Sequence, residues 1–529
     1  MSGSIPTWGR EITAEQRGAA SYRMYEPRAR RLESLLDQAD RWAGRPHVVH
    51  GDVRLDFADL VAAVRGAAAQ LQHHGVGRGD RVALLGWNSP QWVVNLWATW
   101  WIGAVPALMN AWWGTREMEH AFALLAPSAV LADERLARKA PAGPPVVPWQ
   151  ADALAGAGPE RPDTEDENEA AVILFTSGST GLPKAVVLSH RSVISGLHSL
   201  LAITKRLPHE LEGASPSVAL HTGPLFHVGG VQTLVRGVVV GETLVFPEGR
   251  FDPAAAMDLI AAHGVTRWSA VPTMVTRLLD AQAQRPTDLH SLRSLTLGGA
   301  PSHPSLYRRI RDELPSVQAR IATGYGLTEN GGQATAASGR DTRDRPGCVG
   351  LPLPLVEISF GAGPAGGDGE VLLRAASQML RYYGEAAGPI DDEGWLHTGD
   401  LGHLDDDGYL WVTGRSKDLI LRGGENIAPL SVERALVGVP GVLDAAVVGL
   451  PHPDLGEEVG AVVVLDAATA ERDDLLEHLP SRLRGMLASF AIPTRWRFTT
   501  EELPTLGVEK VDKHALIAQF AAETAAAVR

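Results

Sequence analysis

Cysteine is almost missing from this chain of 529 residues: Cys348 stands alone. One thiol excludes an internal disulfide and a cysteine-built metal site, and it fits a reducing cytoplasm. Lysine is scarce as well. Six of the 48 basic residues are lysines (Lys139, Lys184, Lys205, Lys417, Lys510 and Lys513) and the rest are arginines. No basic block occurs and the formal net charge is -14, which argues against a nucleic-acid partner. The N-terminus, MSGSIPTWGREITAEQ, lacks the basic-then-apolar order of a signal peptide. Charge is absent altogether between Val82 and Thr115, where seven of the fourteen tryptophans fall. This run imitates a membrane span, but Asn, Gly and Pro interrupt it in GWNSPQW and WWIGAVPALMNAWW. A buried helix followed by a buried strand is expected instead, and no membrane span.

The chain is too long for one core, so at least two domains are expected. After the polar, acidic connection GAGPERPDTEDENEA, strand and helix patterns alternate. AVILF (171–175) reads as a strand, and SHRSVISGLHSLLAI as a helix with Ser189 as N-cap. TRWSAVP is strand-like, TMVTRLLDAQ helical, and HSLRSLTLGGAP a strand ending in a glycine turn. The alternation predicts an α/β fold with mostly parallel strands. DDDGYLWVTGR reads as a hairpin that closes the larger domain. Its DDDGY lacks the later ligands of a calcium loop and is expected to be a β-turn. The spacing places a boundary at 415–418. No internal repeat or low-complexity tract is evident.

TSGSTGLPKAV, from Thr176 to Val186, puts three kinds of donor between apolar strands. Glycine allows close backbone approach, so successive N–H groups can point at one anion, while Thr and Ser add hydroxyls and Lys184 adds charge. A polyphosphate suits such a loop. A Ser/Gly hairpin turn is the plainer alternative. The spacing is not that of a Walker A loop, and KAVVLSH continues as a strand.

Further motifs follow: PLFHVGG (224–230), LGGAP (297–301), GYGLTE (324–329), WLHTGD (395–400), GRSKDLILRGGENIAP (414–429) and EKVDK (509–513). Together and in this order they resemble the adenylate-forming superfamily, in particular its acyl-CoA synthetases, over about residues 30 to 520. The resemblance implies a large N-terminal domain (1–414) of layered, mostly parallel sheets with helices and a small barrel-like part. A hinge at 415–418 would then lead to a small mobile α+β C-terminal domain (419–529). It also implies a reaction in two steps: a carboxylate attacks the α-phosphate of ATP, giving acyl-AMP and pyrophosphate, and the thiol of coenzyme A then takes the acyl group.

The resemblance assigns roles residue by residue. Thr176, Ser177, Gly178, Ser179, Thr180 and Gly181, with Lys184, would hold the β- and γ-phosphates. Gly299, Ala300 and Pro301 with Gly324, Tyr325 and Gly326 would frame adenine. Thr328 would touch the α-phosphate, and Glu329 would hold Mg²⁺, a hard ion that prefers oxygen ligands. Asp400 would accept bonds from the ribose, with Arg415 beside it. His227 would position the carboxylate, with Val228, Gly229, Gly230, Val231 and Gly298 around the acyl group. Lys417 would be the hinge residue, and Gly423, Gly424 and Glu425 would border the coenzyme A tunnel. Lys510 would be the catalytic lysine and Lys513 the second basic residue of that motif, although Glu509 replaces the usual glycine and the opposite register is open.

PLFHVGG offers no carboxylate for a substrate ammonium, which disfavours α-amino acids. A bulky or medium-to-long apolar acid is expected, one possibility being a ring system. Three other readings share these motifs: an acyl-AMP ligase that loads a carrier protein, a luciferase-like oxygenase, and an inactive nucleotide-binding protein. For the oligomeric state, a monomer and a homodimer both remain open.

Overall fold

The computed structural model describes residues 8–149, 158–177, 182–211, 215–363, 368–466, 469, 473–505 and 511–527. The charge-free tryptophan segment folds as strand Arg81–Leu85, helix Pro90–Trp101 and strand Val105–Leu108. Trp92, Trp97 and Trp100 are fully enclosed, and the Trp100 indole N–H donates to the Ala171 carbonyl at 2.7 Å. Among the described residues no helix is long and apolar enough to cross a membrane.

Those two strands lie in a seven-stranded sheet that also contains Ala129–Ala132, Ala170–Ser177 and Pro183–Ser189. A nine-stranded sheet runs through Ile321–Thr323, Ser294–Leu297, Arg267–Ala270, Val218–His221, Thr243–Phe246 and Pro46–His50, all parallel. Strands covered on both faces read as continuous apolar runs, such as TLVF in Thr243–Phe246. Helices Phe57–His73, Pro90–Trp101, His190–Ile203 and Val228–Val240 share one apolar core with both sheets. Helix His190–Ile203 starts as expected: Ser189 Oγ accepts from Ser192 N–H at 3.1 Å, and Ser192 Oγ accepts from Ser189 N–H at 3.2 Å. The opposite face of the nine-stranded sheet packs on helices Pro253–His263, Pro272–Gln284 and Pro304–Glu313.

A four-stranded antiparallel sheet (Val356–Phe360, Gly369–Ala375, Leu396–Leu404, Leu410–Arg415) follows. Its last turn is the expected hairpin at 405–409, where the Asp405 carboxylate accepts from the Asp407 and Tyr409 N–H groups. The chain passes through Ser416–Asp418 into a separate five-stranded sheet built on Val442–His452 and Gly456–Leu465, with its own core. Within this body Lys513 Nζ donates to Glu433 Oε1 at 2.9 Å and to the Val447 carbonyl at 3.0 Å. The same Glu433 oxygen accepts from Val447 N–H. Lys513 thus ties the C-terminal helix Lys513–Ala527 to helix Pro429–Val437 and strand Val442–His452.

The two bodies meet through polar contacts. Arg434 donates to the Val412 carbonyl at 3.1 Å, and Arg277 Nε donates to Glu502 at 2.9 Å. Asp444 lies in this region. Burial, together with the charges of Glu433 and Glu502, pushes its carboxyl up to about 6 against the pull of the Ala445 N–H. The folded chain therefore keeps this proton to higher pH than the unfolded chain, in which aspartate titrates near pH 4. The stability it contributes is complete below about pH 4 and is lost as pH rises towards 6. Asp444→Asn should remove this loss, so that the Tm difference between variant and wild type grows in the variant's favour from pH 4 to 7. A constant difference over that range, measured by calorimetry, would reject the assignment.

Candidate active site

The proposed phosphate loop joins two antiparallel neighbours, with Ser177 opposite Pro183. Gly178, Ser179, Thr180 and Gly181 lie outside the described residues. Thr176, at the end of the first strand, donates from Oγ1 to Glu329 Oε1 at 3.3 Å. Tyr382 donates its hydroxyl to the same oxygen at 2.9 Å. Tyr382 is placed by an edge strand in which it stands opposite Val186. Burial and the Glu329 charge raise its phenol well above the usual range. Lys184 extends over the Tyr382 ring, 4.5 Å from its centre, and pairs with Glu385 at 3.2 Å. Thr176, Lys184 and Glu329 are thus brought together through Tyr382, a residue that sequence reasoning missed.

A second knot forms around Asp400, which is buried. Tyr325 donates its hydroxyl to Oδ2 at 2.5 Å, and Arg415 Nε donates to Oδ1 at 2.6 Å. Asp400 and Arg415 face each other across neighbouring strands. The Tyr325 phenol is raised well above its usual range, first by burial and then by the Asp400 charge. A glycine is required at 324, because a Cβ there would stand 2.3 Å from the Thr335 carbonyl oxygen. Gly298, Gly299, Ala300 and Pro301 follow strand Ser294–Leu297, and they line one cavity with Tyr325, Thr328, Glu329, Asp400 and Arg415.

His227 is the N-cap residue of helix Val228–Val240, and its ring lies 4.9 Å from that of Phe226. Phe226 meets Trp112 edge-on at 5.3 Å, and Trp112 meets Trp87 at 5.5 Å. Trp87 and Trp112 are 40% and 37% exposed and line the cavity, unlike the enclosed tryptophans between them. The helix turns Val228, Gly229, Gln232, Thr233 and Arg236 towards the cavity. Gly230 is required where the helix passes the Leu225 backbone, since a Cβ would come within 2.5 Å of the Leu225 Cα. Val231, expected around the acyl group, is instead fully buried in the core with Leu234, Val235 and Val238. Helical spacing of 100° per residue puts it on the face opposite Gly229.

The facing wall is polar. Ser269 and Thr296 are direct neighbours in the nine-stranded sheet, as are Arg267 and Ser294, while Trp268, Leu295 and Leu297 point to the other side. The apolar acid expected from the sequence therefore finds an aromatic near end and a hydroxyl-lined sheet face.

Lys510 lies outside the described residues. Thr505 and Val511, which flank it and are bridged to each other, line the cavity. Lys417 is exposed on the turn Ser416–Asp418 at the cavity's edge. Gly423, Gly424 and Glu425 form the exposed tip of a hairpin and are not brought to the cavity in this arrangement. In this arrangement the face of the second body turned inward is the one carrying Thr505 and Val511.

Among the described residues no group of three or more metal-ligating side chains occurs. Glu329 still suits Mg²⁺. Both of its hydrogen bonds fall on Oε1, and a hard ion held partly by phosphate oxygens needs only one or two protein carboxylates.

A family model described as AMP-binding enzyme matches residues 35–383, and one described as AMP-binding enzyme C-terminal domain matches residues 431–510. A feruloyl-CoA synthase of Amycolatopsis sp is 34% identical over 500 residues, covering 90% of this chain and 96% of that protein. A long-chain-fatty-acid–CoA ligase of Mycobacterium tuberculosis is 31% identical over 495 residues, covering 89% and 94%. The solved o-succinylbenzoate CoA synthetase of Bacillus subtilis, in complex with its acyl-adenylate intermediate, superimposes with a TM-score of 0.78 at 27% identity, covering 91% of this chain and 97% of that one.

The two faces of helix Val228–Val240 predict different outcomes. Val231→Ala should cost about 2 kcal/mol of stability without changing which acids are used, as expected for lost core methyls. Gly229→Leu, on the open face, should leave stability nearly unchanged and exclude the bulkiest acids. Denaturant unfolding beside an acid panel checks both. A selectivity change in Val231→Ala alone would return Val231 to the pocket.

Proposed function

The chain belongs to the AMP-binding enzyme family and is an AMP-forming acid–thiol ligase; we propose the following division of labour among its residues. A carboxylic acid is first joined to the α-phosphate of ATP: a carboxylate oxygen bonds to phosphorus, the bond to the bridging β-oxygen breaks, and pyrophosphate leaves. The thiol of coenzyme A then attacks the acyl carbon, and AMP departs.

Thr176 and the loop Ser177–Gly181, with Lys184, hold the leaving pyrophosphate. Tyr382 and Thr176 fix the Glu329 carboxylate, which binds Mg²⁺. The ion supplies charge neutralisation for the phosphates. Asp400, clamped by Tyr325 and Arg415, keeps lone pairs for the ribose hydroxyls, and the clamp sets the Tyr325 ring beside Gly299–Pro301 for adenine. Thr328 touches the α-phosphate. His227, at a helix N-terminus whose dipole favours anions, orients the acid's carboxylate. Trp112, Phe226 and Gly229 accept a bulky apolar section next to that carboxylate. The observation that carries this reading is the convergence of the Glu329 and Asp400 knots on one cavity. A cytoplasmic location is supported by the single, buried cysteine and by the absence of a membrane-crossing helix among the described residues. A carrier protein is the alternative thiol donor. Supplying each thiol separately with ATP and an acid panel, and following AMP release and thioester formation, tests the reading. Thioester formed only on the carrier would overturn coenzyme A as acceptor.

Lys510 bridges carboxylate and α-phosphate during adenylation, while Lys513 holds its own body together. Lys510→Ala should slow adenylation by about 10²–10³ and affect thioester formation from supplied acyl-AMP far less. Lys513→Met should mainly lower the Tm. The reverse pattern in the two half-reactions would exchange their roles.

Residues 415–418, which include the turn Ser416–Asp418, are the hinge between residues 1–414 and 419–529. A rotation there swings Lys510 out and brings Gly423–Glu425 to the coenzyme A path. Proline fixes φ near about -65°, so Lys417→Pro should spare adenylation and impair thioester formation. Equal loss in both half-reactions, measured separately, would count against the hinge.

A further inference from the structure

Deep in the cavity, along the face of helix Val228–Val240 that begins at His227, lies a concentration of positive charge. Glu242 is fully buried, and its carboxylate pairs with Arg236 and, at 3.0 Å, with Arg267. Arg206 adds a third guanidinium, donating to Ser217 Oγ at 3.4 Å rather than to Glu242. Among the described residues the charges acting on Arg206 are those of Arg236, Glu242 and Arg320, so of the carboxylates described Glu242 alone answers three inner guanidiniums, with Arg320 at the surface beyond them. Burial and Arg236 push Arg267 down to about 10, a sign that the excess charge is felt. Yet Arg236 and Arg267 keep 15% and 22% of their side-chain surface open, and both line the cavity, as does Arg206. A buried cation in excess is costly unless an anion answers it. The approach is lined on one side by Ser269, Thr296 and Ser294 and on the other by Thr233, with hydroxyls where an alkyl chain would find no partner.

We propose that the acid activated by this chain carries a second carboxylate at its far end, received by Arg236, Arg267 and Arg206. The helix sets the distance. Arg236 stands nine positions after His227, which sets the two backbones about 13 Å apart at a helical rise of about 1.5 Å per residue, and the acid's length is expected around that span. The inference rests on the acid–thiol ligase reading and on the His227 end as the seat of the reacting carboxylate. It adds the chemistry of the other end: the substrate is an elongated dicarboxylic acid, apolar or aromatic beside His227 and anionic at its tip.

The test uses a series of dicarboxylic acids, linear and aryl-containing, that spans this length. Each is assayed beside its monomethyl ester and the monocarboxylic acid of equal length, with pyrophosphate release measured in the full-length enzyme. At the matching length the diacid should exceed its ester by about 10²-fold in kcat/KM, the order expected for a buried charge pair. Arg206→Gln leaves the Glu242 pairs intact. The double variant Arg206→Gln with Arg236→Gln leaves Glu242 paired with Arg267 and removes the excess positive charge. Both should shrink the diacid preference at least about tenfold while monocarboxylic acids react as before. Monocarboxylic acids matching or exceeding diacids at every length would overturn the proposal and leave the ligase reading standing. So would variants that slow both classes equally. No pyrophosphate release with any acid would sink both.

Discussion

The Asp400 carboxylate is the interaction on which the rest of the site depends. Asp400 belongs to the four-stranded antiparallel sheet, Tyr325 to the loop that leaves the nine-stranded sheet, and Arg415 ends the last strand before the chain enters the second body. One buried anion therefore joins the loop beside the nine-stranded sheet to the last two strands of the four-stranded sheet, where Asp400 and Arg415 are ladder partners. A carboxylate placed this deep needs donors on both oxygens, and it has a phenol on one and a guanidinium on the other. Both donors are thereby held in place. The aromatic wall of the cavity and the start of the interbody connection are fixed by the same requirement that stabilises the charge.

The Glu329 knot works in the same way. Thr176 reaches it from one strand of the seven-stranded sheet and Tyr382 from that sheet's edge strand, so both are registered against Glu329 through one oxygen atom. Neither knot is a metal site or an ion-pair network by itself. Each leaves capacity on a carboxylate that lines the cavity, which suits a site for a highly charged nucleotide.

Much of the fold was legible because parallel strands must be apolar on both faces and their connections must be helical. AVILF, TRWSAVP and the helix capped by Ser189 all lie where the patterns put them. Residues with chemistry inside motifs were legible for a different reason: Asp400, Glu329 and His227 are titratable members of short glycine-containing motifs. What escaped depended on phase and partnership. The glycines of PLFHVGG hid the fact that Val231 already lies within a helix, where one position decides core or cavity. Trp87 and Trp112 look like their buried neighbours in a charge-free run, and only the folded chain separates them. The alternation of Ser269, Thr296 and Ser294 with large apolar residues is visible in sequence, but which side meets a cavity is settled by the helices that pack on the sheet. Tyr382 carries no local signal, because its role comes from a strand pairing across nearly two hundred residues.

The turn Ser416–Asp418 is where the described chain passes from the body containing the two large sheets to the one containing Val442–His452. A body attached by one strand of backbone can turn without unthreading anything, and under the hinge proposed above its orientation is an equilibrium. The weights in that equilibrium include the contacts that the two bodies share. Several are rim interactions: Arg434 with the Val412 carbonyl, His303 with the Arg434 carbonyl, and Arg277 with the exposed Glu502. Contacts of this kind contribute on the order of 1 kcal/mol each or less, and the charged one weakens with salt. Under the proposed hinge, the ionic strength of the surrounding solution becomes a control on how the molecule divides its time between arrangements, a lever acting at the rim and not at the Glu329 and Asp400 carboxylates.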